Sequence, residues 1–190
     1  MTLPDIAPPL LVWYAQNKRV LPFRTLSTPY RVWVSEIMLQ QTRVSTALPY
    51  FERFMEALPT IADLAACEPE KLHKLWEGLG YYSRVRNLQK AAQIVMERYG
   101  GRLPADCAAL QKLPGIGAYT AGEIASICFG QPVPAVDGNV LRVFARLLDD
   151  ARDIVKPEVK KELSSDAHAL QPPECPGDYN QALMELGALI

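Results

Sequence analysis

Cysteine is scarce in this chain: four residues among 190, at Cys67, Cys107, Cys128 and Cys175. None stands at metal-ligand spacing from another, and so few thiols in a chain of this size do not make a disulfide framework. They are read as buried or idle thiols of a reducing compartment, and no metal site is expected from them. No apolar run approaches the ~20 residues needed to cross a bilayer. The opening segment, MTLPDIAPPLLVWYAQNKRV, lacks a basic stretch ahead of a long apolar core and lacks a small-residue cleavage site. A signal peptide is therefore not expected, and a cytoplasmic protein is. Clean alternation of apolar and polar residues is missing at strand length, as are repeats and low-complexity segments. Nor is there a surplus of one charge. Twenty Lys and Arg against 21 Asp and Glu leave a net charge of -1, which counts against a nucleic-acid binder that works by overall charge.

What is present is the make-up of a soluble globular protein, 49% hydrophobic and 22% charged, long enough for one core or two small lobes. The pattern is helical nearly throughout, with about ten helices joined by short turns. Thr60, Ser83 and Asp106 each precede a helical run and are expected to cap it. Gly78, Gly100 with Gly101, and Gly130 follow helical runs as stop signals. The basic residues are clustered: Lys18, Arg19 and Arg24; Arg84, Arg86 and Lys90; Arg142, Arg146 and Arg152. Each cluster is either a solvated helix face or a local phosphate-binding face, since screening confines its field to about ten ångströms.

Four segments carry chemistry. A helix is predicted from Pro29-Tyr30, with Trp33, Ile37, Val44 and Leu48 at helical spacing and a break near Gln41-Thr42. Glu36 borders its apolar stripe, where partial desolvation raises a carboxyl pKa; a surface glutamate is the plainer alternative. LPGIG (113–117) is an ordinary interhelical turn or an anion site. In the second reading Gly115 and Gly117 take positive φ and let the backbone approach a phosphate at the start of the next helix; in either reading Leu113 and Ile116 pack between the two helices. PAVDGNVLRV (134–143) puts Asp137 just before an apolar helix, as its cap, as a catalytic carboxylate, or as both. A protonated Glu36 and an ionised Asp137 would divide the work as paired carboxyls do in glycoside cleavage. GLGYYSRVRNLQK (78–90) sets Tyr81 and Tyr82 beside Arg84 and Arg86, suited to entering a base step or to packing at a helix junction.

Together these segments closely resemble the helix-hairpin-helix base-excision DNA glycosylases, and within them the adenine DNA glycosylases of the MutY type. The resemblance rests on LPFR (21–24), VWVSEIMLQQT (32–42), PYFERF (49–54), WEGLGYYSRVRNLQKAA (76–92), LPGIGAYTAGEIASI (113–127), AVDGNVLRV (135–143) and YNQALMELGAL (179–189). It covers residues from about 10 to 190, in order, and is very specific.

The resemblance implies a monofunctional enzyme that removes adenine mispaired with 8-oxoguanine or guanine from double-stranded DNA, acting as a monomer, in a bacterial cell at the nucleoid. Glu36 is implied to protonate the adenine, chiefly at N7. Asp137 is implied to stabilise the oxocarbenium-like sugar or bond to it transiently, and Asn139 to orient Asp137 or the substrate. Tyr119 stands where bifunctional relatives carry a Schiff-base lysine, which implies no strong lyase activity. Arg24, Leu21 and Gln181 are implied to line the adenine pocket. Gln41, Tyr81 and Leu39 are implied to enter or contact the duplex near the lesion, with Gly115, Gly117 and Arg84 on the DNA as well. Gly138-Asn139 and the QQT triplet favour the adenine branch over the thymine- or pyrimidine-directed branch. An inert DNA-binding module is the other alternative, against which both carboxylates speak.

The implied fold is all-α and two-lobed: a six-helix module over 29–130 carrying the hairpin and Glu36, and a second lobe of 1–28 with 131–190. A cleft between them is expected to hold the everted adenine, with Glu36 and Asp137 on opposing walls. The family's [4Fe-4S] cluster uses four cysteines that would begin immediately after Ile190, so no cofactor is expected within this chain. The separate C-terminal domain that recognises 8-oxoguanine is also missing, which implies weaker discrimination. The chain is expected to continue past its last helix, or to be a member without the cluster. Phe23 replaces the usual Trp, a mild change.

Overall fold

A computed structural model describes residues 5–190; the first four residues of the opening segment lie outside the described residues. Every regular element among the described residues is a helix, twelve in all. The chain divides into two compact units, Met1–Arg19 with Ala125–Ile190, and Val20–Ile124.

In the Val20–Ile124 unit the short helix α2 (Pro22–Thr25) leads into α3 (Pro29–Leu39). Helix α3 starts where Pro29 presets φ and Thr28 Oγ1 accepts the free N–H of Arg31. It buries Trp33 and Ile37 of the expected stripe, with Val34 and Met38 beside them; Val44 and Leu48 fall on the next helix and are half-buried. α4 (Val44–Ala57), α5 (Ile61–Ala66), α6 (Pro69–Trp76), α7 (Ser83–Tyr99) and α8 (Cys107–Leu110) follow. Thr60 and Asp63 form a reciprocal capping box on α5, and Asp106 accepts the N–H of Ala109 on α8. Ser83, by contrast, does not cap α7. Tyr82 takes the cap position and Ser83 is the first helical residue, because the turn already closes through Arg84 N–H to Tyr81 C=O and Arg86 N–H to Tyr82 C=O. α7 ends at Gly100 in the left-handed region, φ 60°, where Gly needs no compensation.

α5 lies against α7, and α3 against both α4 and α7. The core between them holds Trp33, Phe54, Trp76, Leu88 and Val95, all essentially inaccessible. Phe54 meets Trp76 edge to face at 6.1 Å, and Phe23 meets Phe51 at 5.6 Å. Pairs of this geometry add about 0.5–1.5 kcal/mol beyond their burial. The Tyr30 hydroxyl reaches the Leu58 carbonyl at 2.9 Å, and burial pushes its ionisation well above the ordinary phenol range.

α9 (Ala118–Phe129) crosses from one unit into the other. The second unit packs α1 (Ala7–Asn17) on α12 (Pro176–Gly187), and α10 (Gly138–Leu147) on both α12 and α11 (Pro157–Ala169). Leu10, Tyr14, Val140, Phe144, Leu163, Tyr179 and Leu183 make its core. The C-terminal helix stops at Gly187.

Buried Gln171 and Asn180 share a network of hydrogen bonds here, although Gln171 Oε1 takes no part in it. Gln171 Nε2 donates to Val133 C=O and Asn180 Oδ1, while Asn180 Nδ2 donates to Ser126 Oγ and Val133 C=O. These bonds hold the extended segment that leads from Gly130 to Asp137. Glu185, nearly inaccessible inside α12, receives a bidentate Arg19 at 2.5 and 2.9 Å, and that contact holds the Arg19 guanidinium above its ordinary range.

Candidate active site

Asp137 sits at the end of the extended segment and opens α10. Its Oδ1 accepts the N–H groups of Asn139 and Val140, both at 2.9 Å. These are two of the donors that a helix start leaves unused. Its Oδ2 accepts Asn139 Nδ2 at 2.6 Å. The Asn139 oxygen in turn accepts Arg142 Nη2 at 2.5 Å, and the same nitrogen reaches Gly187 C=O at 2.8 Å. A continuous chain of hydrogen bonds therefore runs from the end of α12 through Arg142 and Asn139 to the carboxylate. Gly187 permits this closeness: a Cβ there would stand 2.6 Å from both Cβ and the carbonyl oxygen of Asn139. Asp137 and Asn139 remain half-exposed, so the carboxylate is at once a cap and accessible.

Sequence reasoning grouped Arg142 with the basic clusters and did not find this role. The signal available was spacing: Asn139 and Arg142 are three apart and face the same side of α10. It likewise did not find the buried Glu185, whose partner Arg19 is 166 residues away.

Glu36 lies in the other unit, half-buried on α3 between buried Ser35 and Ile37. The helix ends at Leu39, itself half-buried, and Gln41 turns the chain in the left-handed region, φ 58°, before α4 begins. Gln41 is exposed, and so is Tyr81, also left-handed at φ 47°. Arg84 stands between these two segments and spends its terminal nitrogens on backbone carbonyls of both. Leu21 and Arg24 belong to the α2 turn of this unit, the first buried and the second half-buried. Gln181, on α12 in the other unit, is half-buried and donates to Gly177 C=O at 3.3 Å.

The turn at 113–117 has buried Leu113 and Ile116 behind it, and exposed Gly115 and Gly117 in front. Gly115 has φ 79°, and a Cβ on it would press on Asn87 Cβ at 3.0 Å. Gly117 departs from expectation, since it is not among the residues of positive φ. The chain has already reversed at Gly115, and Gly117 C=O accepts Ala121 N–H as α9 starts. Its use is openness: nothing lies within 4 Å of the place a Cβ would occupy. The result is a bare backbone surface before a twelve-residue helix, suited to an anion. Tyr119, half-buried, stands in the first turn of that helix, one turn before buried Glu123.

An iron–sulfur cluster of the implied kind needs four converging thiolates. Among the described residues no three His, Cys, Asp or Glu side chains are grouped to hold a metal ion. Burial pushes the thiols of Cys67 and Cys175 up, away from thiolate. The residues present do not fit that group. No helix of the described residues is long and apolar enough to cross a membrane.

The chain is similar over most of its length to known proteins. The chain is 48% identical over 190 residues to the adenine DNA glycosylase of Mus musculus, covering 95% of this chain and 37% of that protein. It is 42% identical to that of Arabidopsis thaliana, covering 95% and 33%, and 38% identical to that of Buchnera aphidicola from Schizaphis graminum, covering 100% and 55%. The chain thus spans about a third to a half of the length of these relatives. Among solved structures, a thermostable thymine-DNA glycosylase superposes with a TM-score of 0.84 at 26% identity, over 95% of this chain and 83% of that one. A non-covalent endonuclease III–DNA complex superposes with a TM-score of 0.78 at 25% identity, over 97% and 85%. The model of the HhH-GPD superfamily matches residues 34–167, from within α3 to within α11, and this chain belongs to that superfamily of base excision DNA repair proteins.

Proposed function

We propose that this chain is the catalytic part of an adenine DNA glycosylase. It releases adenine mispaired with 8-oxoguanine or guanine from double-stranded DNA, as a monomer, where the chromosome is. The observation that carries the reading is the Asp137–Asn139–Arg142 chain of hydrogen bonds, which orients one accessible carboxylate on a sequence 48% identical to such an enzyme.

Glu36 gives its proton to N7 of the adenine. The C1′–N9 bond breaks, its electron pair leaves with the base, and neutral adenine departs. Asp137 holds the positive charge left on the sugar, or bonds to C1′ for a time. A water then adds to C1′ and gives one proton to the Glu36 carboxylate, which restores the starting state. Asn139 keeps Asp137 turned for this work. Arg24, Leu21 and Gln181 recognise the base, while Gln41, Leu39 and Tyr81 take up the space it leaves. The backbone at Gly115 and Gly117 holds a phosphate. Tyr119 has no amine to add to C1′, so the strand stays uncut.

The assay is single-turnover base release from duplexes holding A opposite 8-oxoguanine, A opposite G, and T opposite G, with strand scission scored before and after alkali. Release of adenine alone, with scission only after alkali, is the expected result. Release of thymine would move the protein to the pyrimidine branch, and binding without release would make it an inert module.

A further inference from the structure

Among the described residues, three that are not glycine have left-handed backbone, and two of them are Gln41 and Tyr81. They are forty positions apart in sequence, and both are exposed. Such a conformation persists in a large side chain only where the surroundings over-determine it. One side chain does so for both. Arg84 Nη1 donates to the carbonyls of Ile37 at 2.9 Å, Met38 at 3.1 Å and Gln40 at 2.6 Å. Its Nη2 donates to the carbonyls of Leu79 at 3.0 Å and Gly80 at 3.3 Å. The peptide units just before Gln41 and just before Tyr81 are thus fastened to the same plane. That plane also lies 5.4 Å from the centre of the Trp76 ring and 5.6 Å from that of Tyr81.

We propose that Arg84 is a positioning residue that braces the Gln41 and Tyr81 turns as one rigid pair, so that the two side chains enter the duplex together. This rests on the adenine glycosylase reading above, and it replaces the expectation that Arg84 itself grips DNA. The carbonyls of Ile37 and Met38 belong to the last turn of α3, where acceptors lack helical partners. A guanidinium can serve them and the Leu79-Gly80 turn at once because it is flat and carries donors on two arms. A lysine ammonium keeps the charge but has one centre and no plane.

Three measurements on the whole chain test this. The first is single-turnover adenine release for Arg84→Lys on an A-opposite-G duplex. The second is the fluorescence rise of 2-aminopurine placed at the mispaired position, which reports unstacking. The third is the slope of log affinity against log salt for the same duplex. The brace predicts at least tenfold slower release and loss of most of the fluorescence rise for Arg84→Lys. It predicts an unchanged salt slope for Arg84→Gln, whereas a phosphate contact predicts a slope smaller by about one. Lysine that restores release and fluorescence, or glutamine that lowers the slope, overturns the proposal. In case either variant fails to fold, the ¹⁵Nη signals of Arg84 in the unaltered protein decide. The brace requires them to be slowly exchanging without DNA and unshifted when the duplex binds; averaged signals, or signals that move on binding, overturn it. If the unaltered chain releases no adenine, the enzymatic reading fails by itself, while fluorescence, salt slope and Nη signals still decide the role of Arg84.

Discussion

Asn139 donates to the Oδ2 of Asp137 at 2.6 Å, so the orientation of the carboxylate depends on an amide that is itself held from behind by Arg142. Two of the three bonds to Asp137 come from backbone N–H groups and survive any substitution at 139 except proline; the third does not. Asn139→Ala should therefore leave α10 capped and the fold intact while it frees Oδ2. Adenine release is expected to slow by about 10-fold or more, the order of one lost charge-assisted hydrogen bond, with DNA affinity nearly unchanged. Single-turnover kinetics and duplex titration check this, and equal losses in both would point to a folding defect.

Removing the charge is the stronger change. Asp137→Asn keeps a side-chain oxygen that can cap α10, so stability should move little. Chemistry should slow by about 10²-fold or more, because the developing positive charge on the sugar loses its counter-charge. Base release within threefold of the unaltered protein would refute a catalytic Asp137. Thermal unfolding measured beside it separates the two roles that the residue combines.

The local part of this arrangement was legible in the sequence. Thr60, Asp106 and Asp137 announce helix starts because a cap needs only its own side chain and the next few N–H groups. Gly100 announces a stop for a similarly local reason, and the stripe of Trp33 and Ile37 needs only helical periodicity. What escaped notice involves acceptors that carry no sequence signature. The carbonyls that hold Arg84, at Ile37, Met38, Gln40, Leu79 and Gly80, belong to every residue type alike, and so does the Gly187 carbonyl that holds Arg142. An arginine in a basic cluster therefore looks solvent-facing until the backbone around it is placed. The Ser83 cap went the same way: a favourable residue was displaced because the turn through Tyr81 and Tyr82 closes without it.

Glu36→Gln keeps size and polarity and removes the proton that can be given to N7. Release of adenine is expected to fall below detection, while the affinity for an A-opposite-G duplex stays within a few-fold, since binding draws on phosphate contacts elsewhere. Single-turnover release at the normal rate by this variant would end the acid role.

Arg19→Ala tests the buried end of the second unit. It would leave the Glu185 carboxylate, 3% exposed, without its guanidinium. Because the Arg19 side chain is 47% exposed, the loss should be smaller than for a fully buried pair, about 1–3 kcal/mol by urea unfolding. Glu185→Gln placed on top of Arg19→Ala should recover part of it, as a neutral amide costs less to bury than a carboxylate.

Gly187→Ala asks whether the packing of α12 on α10 governs the carboxylate. The added methyl would meet Asn139 Cβ and its carbonyl oxygen at 2.6 Å, closer than side chains tolerate, and part of what it meets is backbone. α12 must shift, and the Gly187 carbonyl that receives Arg142 shifts with it. Overpacking of this kind costs about 1–3 kcal/mol in stability. The sharper expectation concerns rate: adenine release should slow at least as much as in Asn139→Ala, and combining the two changes should add little further loss, because both act through the same bond to Asp137. Fully multiplicative effects on the rate would show that Gly187 and Asn139 work independently, and would break the proposed link between the end of α12 and the carboxylate.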